Sequence, residues 1–318
     1  MNKEVYDFDA AFKLVQQETK RILTKGPSLI SGYVGYMSDA TGKMMRATAL
    51  LAASMDENEM VPYDAIIFAS AVEILHLATL VHDDIMDDAD LRRGQVTLQK
   101  KAGKRNAVIC GDYLLAAAIN QLSKVSDADK YKDFDFSKYV ERIALGELRQ
   151  NINNRNYRLK TFRYLTIIDG KTAALFEAAY HAGALAGNAS KEKVKYFRNL
   201  GRYTGIIFQL TDDCIDYETS EELALKPVQS DFENGVITLP LIHAFESNPS
   251  LIEKAENGQL TSKEALEEVT KSGGVKFTHE TAKAYYDKAK NAAKALLLNT
   301  KQQQILGGLL ERAYVGLK

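Results

Sequence analysis

The stretch AIIFASAVEILHLATLV, residues 65–81, most constrains what this chain can become. It is long enough to raise the question of a membrane span, which needs about twenty apolar residues, but Glu73 and His76 break it. It reads as a core helix. Elsewhere apolar residues recur at helical spacing, only five prolines interrupt them, and β-branched alternation is scarce. The spacing predicts an all-α protein, with helices over 7–24, 43–55, 62–88, 105–124, 134–154, 161–186, 191–218, 235–247, 261–271, 276–297 and 301–315. Breakers lie at TKGP, SGYVG and SDATGK, at DADLRRG, and at KPVQSDFENG. SKVSDADKYKDFD (123–135) is polar enough to predict an exposed connection. Nothing reads as an interdomain linker, so residues 1–318 are expected to form one domain.

The apolar tract gives way at once to its opposite. VHDDIMDDAD places Asp83, Asp84 and Asp87 in a DDxxD pattern, and QLTDDCIDY repeats it with Asp212, Asp213 and Asp216. Each copy ends a predicted apolar helix, where carboxylates oppose the macrodipole. If the fold brings the copies together, two unit charges about 4 Å apart at an effective dielectric near 20 repel by roughly 4 kcal/mol, several times over. A cation must then sit between them. Carboxylates without histidine or thiolate partners suit a hard ion, and Mg²⁺ is usually held by a few carboxylates, water and substrate phosphates. A single DDxxD could be a solvated helix end, but two copies on apolar helices argue for a ligand.

Cations that could grip an anion lie nearby. Arg92 and Arg93 come just after the first cluster, Lys43 and Arg46 lie in TGKMMRA at a predicted helix start, Lys171 and Thr172 open KTAALFEAAYHAG, and Lys226 comes after the second cluster. Two other metal readings fail. His82-Asp83 is the HD pair of metal-dependent phosphohydrolases, yet His181, His243 and His279 do not supply the further histidines such sites need. Glu73-x-x-His76 is half of a di-iron carboxylate motif, and the second half is missing.

On these residues the chain resembles the trans-isoprenyl diphosphate synthases of the polyprenyl synthetase family over most of its length. DDIMDDADLRRG (83–94) and FQLTDDCID (208–216) match the two aspartate-rich motifs, and Gly42, Lys43 and Arg46 match the GKxxR signature. HLATLVHDD, GDYLLA (111–116), GELRQ (146–150), KTAALF (171–176) and SDFENGVITLPLI match further segments. The resemblance implies the isoprenoid synthase fold, an orthogonal bundle of about ten or more helices around a central apolar cavity. It implies that Asp83, Asp84, Asp87, Asp212, Asp213 and Asp216 hold up to three Mg²⁺ ions around the diphosphate of an allylic substrate. Arg92, Lys171 and Lys226 would contact that diphosphate, with Thr172 and Gln209 beside them. Lys43, Arg46, His76 and Arg93 would bind isopentenyl diphosphate. Ala47 departs from the family's proline after the GKxxR arginine, and Leu225 and Gln229 replace glycines near Lys226.

The implied reaction is ionisation, condensation and elimination, giving an all-trans polyprenyl diphosphate. A terpene cyclase would carry an Asn/Ser/Glu metal motif in the second position, which QLTDDCID opposes, and non-catalytic subunits lose aspartates that this chain keeps. A homodimer, or the catalytic half of a heterodimer, is the expected assembly. Small Ala78 and Thr79 stand four to five positions before Asp83, so a growing chain is expected to pass toward Leu75 and Ile74. Products beyond geranylgeranyl, hexaprenyl or heptaprenyl, are expected unless Tyr113, Leu114 or Leu115 blocks the path.

Composition excludes other classes. Lys plus Arg (41) nearly balance Asp plus Glu (42), so no global charge steers the chain toward nucleic acid or an anionic membrane. Cys110 and Cys214 show no metal spacing and read as core thiols. The first residues, MNKEVYDFDAAFK, lack a signal-peptide pattern. A cytoplasmic location is expected.

Overall fold

The computed structural model describes residues 4–39, 42–92, 94–218 and 230–316. Its helices are α1 (Phe8–Thr24), α2 (Ser28–Val34), α3 (Met45–Ser54), α4 (Tyr63–Met86), α5 (Leu98–Ala102), α6 (Lys104–Leu122), α7 (Phe136–Ile152) and α8 (Thr161–Ile168). They continue as α9 (Ala174–Ala186), α10 (Lys191–Glu218), α11 (Ser230–Glu233), α12 (Leu239–Ser247), α13 (Ser250–Glu256), α14 (Ser262–Ser272), α15 (Gly274–Leu296) and α16 (Thr300–Val315). The protein is all-α, as its spacing predicts. Two small pairings escaped the pattern: β1 (Val5–Tyr6) with β2 (Val61–Pro62), and β3 (Leu91–Arg92) with β4 (Gln95–Val96). Strands of two residues carry no readable alternation.

The chain divides into two compact units. The first comprises Met1–Asp135, Ala178–Arg198 and Ala295–Leu309, the second Phe136–Glu177, Asn199–Lys294 and Leu310–Lys318. The core of the first unit is α4, with α1, α3 and α6 packed on it. Residues 65–75 of α4 are buried on every face, which is why their sequence lacks a polar stripe. By length and composition α4 could cross a membrane, but most of it is inside the protein. Helix α1 shows the ordinary amphipathic solution, burying Ala11, Val15, Thr19, Ile22 and Leu23. Asp7 caps it, accepting from the Ala10 N–H at 2.8 Å.

In the second unit, α8, α10, α12 and α14 meet in one apolar cluster that includes Tyr164, Ile168, Leu210, Leu239, Phe245 and Val269. A capping box at Thr261 and Glu264 starts α14, and Gly273 ends it in the left-handed region. Both cysteines are buried and free.

Two expectations need correction. The segment 123–135 is not simply exposed: Tyr131 and Phe134 are only 6% and 9% exposed, and both pack edge-on against Phe68. Asp64 at the start of α4 accepts from the Ser126 backbone, the Ser126 hydroxyl and the Tyr131 hydroxyl, at 3.0, 2.8 and 2.7 Å. The polar residues hid two aromatic anchors. Nor is 161–186 one regular helix, because Asp169–Ala173 forms a π-helical turn between α8 and α9.

Candidate active site

In the first unit α4 delivers the first acidic motif at its C-terminal end. Asp83 is half-buried, Asp84 is 6% exposed, and Asp87 is exposed at the C-cap, its N–H donating to the Asp83 carbonyl at 2.8 Å. The chain then reverses through the β3–β4 hairpin, where Gly94 takes φ 77°. The hairpin returns Arg92 to the motif, its Nε donating to Asp84 Oδ1 at 2.6 Å. The loop is fastened from behind: the Thr97 hydroxyl and the Gln99 amide both donate to the Ala89 carbonyl, at 2.6 and 2.8 Å. Burial pushes the Asp84 carboxyl above the usual carboxylate range; Arg92 opposes that shift and Asp87 adds to it. His82 is half-buried at the end of α4. It packs on Gly111, where a Cβ would lie 2.3 Å from its Nε2, and approaches Asp112 at 3.4 Å. The GDYLLA glycine is thus the space that α4 needs against α6.

In the second unit α10 carries the second motif. Asp212 and Asp216 are half-buried, while Asp213 is 4% exposed and fully engaged. Its Oδ1 accepts from Gln209 Nε2 at 2.7 Å and its Oδ2 from the Tyr164 hydroxyl. Gln209 in turn accepts from the Thr172 hydroxyl at 2.6 Å. Burial, reinforced by Asp231 and Asp212, pushes the Asp213 carboxyl well above its ordinary value, and the donors Tyr164 and Gln209 oppose only part of this. Lys171, on the π-helical turn, pairs with Glu147 of α7 at 2.8 Å. A Cβ at Gly146 would lie 2.2 Å from the Lys171 nitrogen, so GELRQ and KTAALF are two sides of one close backbone approach. Arg142 and Arg202 brace the turn through Asp169, and Arg142 also binds Glu177 at 2.7 Å.

A model of the family described as polyprenyl synthetase matches residues 27–272. The chain belongs to that family. It is 29% identical over 308 residues to heptaprenyl diphosphate synthase component 2 of Bacillus subtilis, spanning 91% of this chain and 86% of that one. The crystal structure of heptaprenyl diphosphate synthase from Staphylococcus aureus superposes with a TM-score of 0.89 at 28% identity, over 98% of this chain and 99% of that one. A polyprenyl synthase from Caulobacter crescentus, solved with calcium and isoprenyl diphosphate, gives 0.85 at 30% identity, over 97% and 95%. This polyprenyl synthetase is therefore an enzyme, a transferase of prenyl groups.

Other residues of the synthetase predicted from sequence fall on α3, α4 and α6. Lys43 is exposed just before α3, Arg46 is half-buried in its first turn, and His76 is half-buried on α4. Ile74, Leu75 and Ala78 are buried, and the Thr79 hydroxyl bonds back to the His76 carbonyl at 2.8 Å. On α6, Leu114 is buried and the Tyr113 hydroxyl points toward Gly26. Arg93, Leu225, Lys226 and Gln229 lie outside the described residues. Sequence reasoning passed over Glu147 and Tyr164. Glu147 stands inside the GELRQ segment, whereas Tyr164, 49 positions before Asp213, left no local signal.

Proposed function

We propose that this polyprenyl synthetase condenses isopentenyl diphosphate head-to-tail with an allylic diphosphate, by ionisation, condensation and elimination, to an all-trans polyprenyl diphosphate. One observation carries the reading: Thr172, Gln209 and Asp213 form a continuous hydrogen-bonded row beside Lys171. Residues that the family resemblance sets at the allylic diphosphate are wired directly to the acidic motif.

The donor chemistry fits Mg²⁺, since both motifs offer carboxylate oxygens, and burial pushes up the Cys214 thiol inside the second motif, which disfavours a thiolate there. Asp83, Asp84, Asp87, Asp212, Asp213 and Asp216 would hold up to three ions, with Asp213, already engaged by Tyr164 and Gln209, serving as the brace of its motif. When bound, Mg²⁺ supplies Lewis-acid neutralisation of the charge growing on the departing diphosphate. Arg92, Lys171, Thr172, Gln209 and Lys226 grip that diphosphate, and Lys43, Arg46, His76 and Arg93 hold isopentenyl diphosphate. Apolar walls keep water from the allylic cation, and the released pyrophosphate takes the proton.

Buried, small Ala78 supports products beyond geranylgeranyl, hexaprenyl or heptaprenyl. Ala78→Phe should shorten them, read by chromatography of the dephosphorylated alcohols; a wild-type product no longer than farnesyl would place the floor elsewhere. The enzyme is proposed to work in the cytoplasm as a homodimer, and the exposed Val108, Ile109 and Ile119 of α6 offer an apolar surface for it. A second reading, a catalytic subunit that needs a non-catalytic partner, is favoured by the likeness to a heptaprenyl diphosphate synthase component. Assaying the purified chain alone with isopentenyl and farnesyl diphosphates, with its size measured in the same preparation, separates the two. Turnover is expected with Mg²⁺ and is expected to vanish with excess EDTA; undiminished turnover in EDTA would overturn the metal reading.

A further inference from the structure

Glu73, which takes no part in the proposed reaction, is only 7% exposed on α4. Its Oε1 accepts from the backbone N–H of Ala47 at 2.9 Å, across 26 positions of chain. Ala47 lies in the first turn of α3, where backbone donors have no partner within the helix. The usual remedy is a capping side chain, but the residue in that place is Met44, which has no cap oxygen and sits in the left-handed region at φ 45°. A non-glycine residue held there costs free energy that its surroundings must repay. Glu73 brings the missing acceptor from the neighbouring helix, and its negative charge lies at the end of α3 that favours one.

The position matters because of what flanks it. Lys43 and Arg46 precede Ala47 on the same segment, and His76 comes one helical turn after Glu73 on α4. The bond therefore joins the two pieces of chain assigned to isopentenyl diphosphate. It also gives meaning to the alanine. A proline, usual in the family at this place, fixes φ by its ring and has no N–H to donate. With alanine the turn has no ring, and the N–H it gains is the one that Glu73 takes.

We propose that Glu73 is a positioning residue for the isopentenyl diphosphate pocket, holding the first turn of α3, and with it Lys43 and Arg46, through the Ala47 N–H. This rests on the proposed assignment of that pocket to isopentenyl diphosphate. The test is steady-state kinetics on Glu73→Leu and the milder Glu73→Gln, each made with Ala47 and with Ala47→Pro, alongside amide exchange at Ala47. Glu73→Leu should raise KM for isopentenyl diphosphate about tenfold, the ~1.4 kcal/mol scale of a lost helix cap, and leave kcat and the allylic KM within about twofold. Glu73→Gln, which keeps an acceptor, should lie between. In the Ala47→Pro background, where the ring holds the turn, Glu73→Leu should change that KM by less than about threefold. Exchange at the Ala47 amide should quicken in Glu73→Leu. Equal rises in both KM values, a full Glu73 effect beside proline, or unchanged exchange each overturn the positioning role. A wild-type chain that joins no pair of substrates overturns instead the functional reading and its pocket.

Discussion

The two acidic motifs are spelled alike and anchored differently. In the first unit the buried Asp84 is held by a cation, Arg92, returned by the hairpin after the motif. In the second unit the buried Asp213 is held by neutral donors, Tyr164 and Gln209, and feels the negative Asp231 as well. A guanidinium compensates a buried carboxylate where it stands, whereas phenol and amide dipoles compensate it only in part. The central carboxylate of the first motif thus has a cation that offsets part of its burial, whereas the described hydrogen-bond donors to that of the second are neutral. Lys171, a cation of the second unit, pairs with Glu147 at 2.8 Å.

The largest effect should erase this difference. Asp84→Ala and Asp213→Ala should each lower turnover about a thousandfold, roughly 4 kcal/mol of transition-state stabilisation, if both motifs hold Mg²⁺. Circular dichroism should show the fold retained. An effect confined to one motif would mean that only that one serves the reaction.

Stability separates them more finely. Asp84→Asn strands a guanidinium that is a third exposed and should cost about 2 kcal/mol in urea unfolding, below the full penalty of a buried pair because solvent reaches Arg92. Asp213→Asn keeps an acceptor for Tyr164 and should cost less than about 1 kcal/mol. Equal costs would break the comparison.

The pH dependence carries a definite sign. Asp213 has a folded value above its reference of 3.8, so its contribution to stability is fully present below that reference and lost as pH rises through the folded value. Ionised Asp213 is then a cost that asparagine lacks. In EDTA, the stability of Asp213→Asn relative to wild type should improve as pH climbs from the reference of 3.8 toward the raised folded value. Asp84→Asn should move the same way by less, because Arg92 offsets the burial of Asp84.

Smallest is the loosening of Lys171. Glu147→Gln removes a largely shielded ion pair worth about 0.5–1 kcal/mol, so KM for the allylic substrate should fall about two- to fivefold. Thermal stability should stay within a degree or two, checked by a melting curve. A raised KM would show that Glu147 aims the lysine instead of competing for it.

The sequence by itself determined the helices, because the 3.6-residue apolar period is written locally, and it determined the acidic motifs and their cationic neighbours, because residue type and spacing name the chemistry. The apolar run of α4, broken only by Glu73 and His76, already read as a core helix. Only the tertiary structure decided the partners. That Arg92 returns to Asp84, that Tyr164 and Gln209 share Asp213, that Glu147 holds Lys171, and that Glu73 reaches the Ala47 N–H are all decided by which helices touch. The same holds for the π-helical turn, which depends on Gly146 letting α7 approach, and for the anchoring of 123–135 by Asp64. Periodicity reports the face that a residue occupies on its own element; a hydrogen bond between elements depends on a second segment whose distance in space has no local trace in the chain.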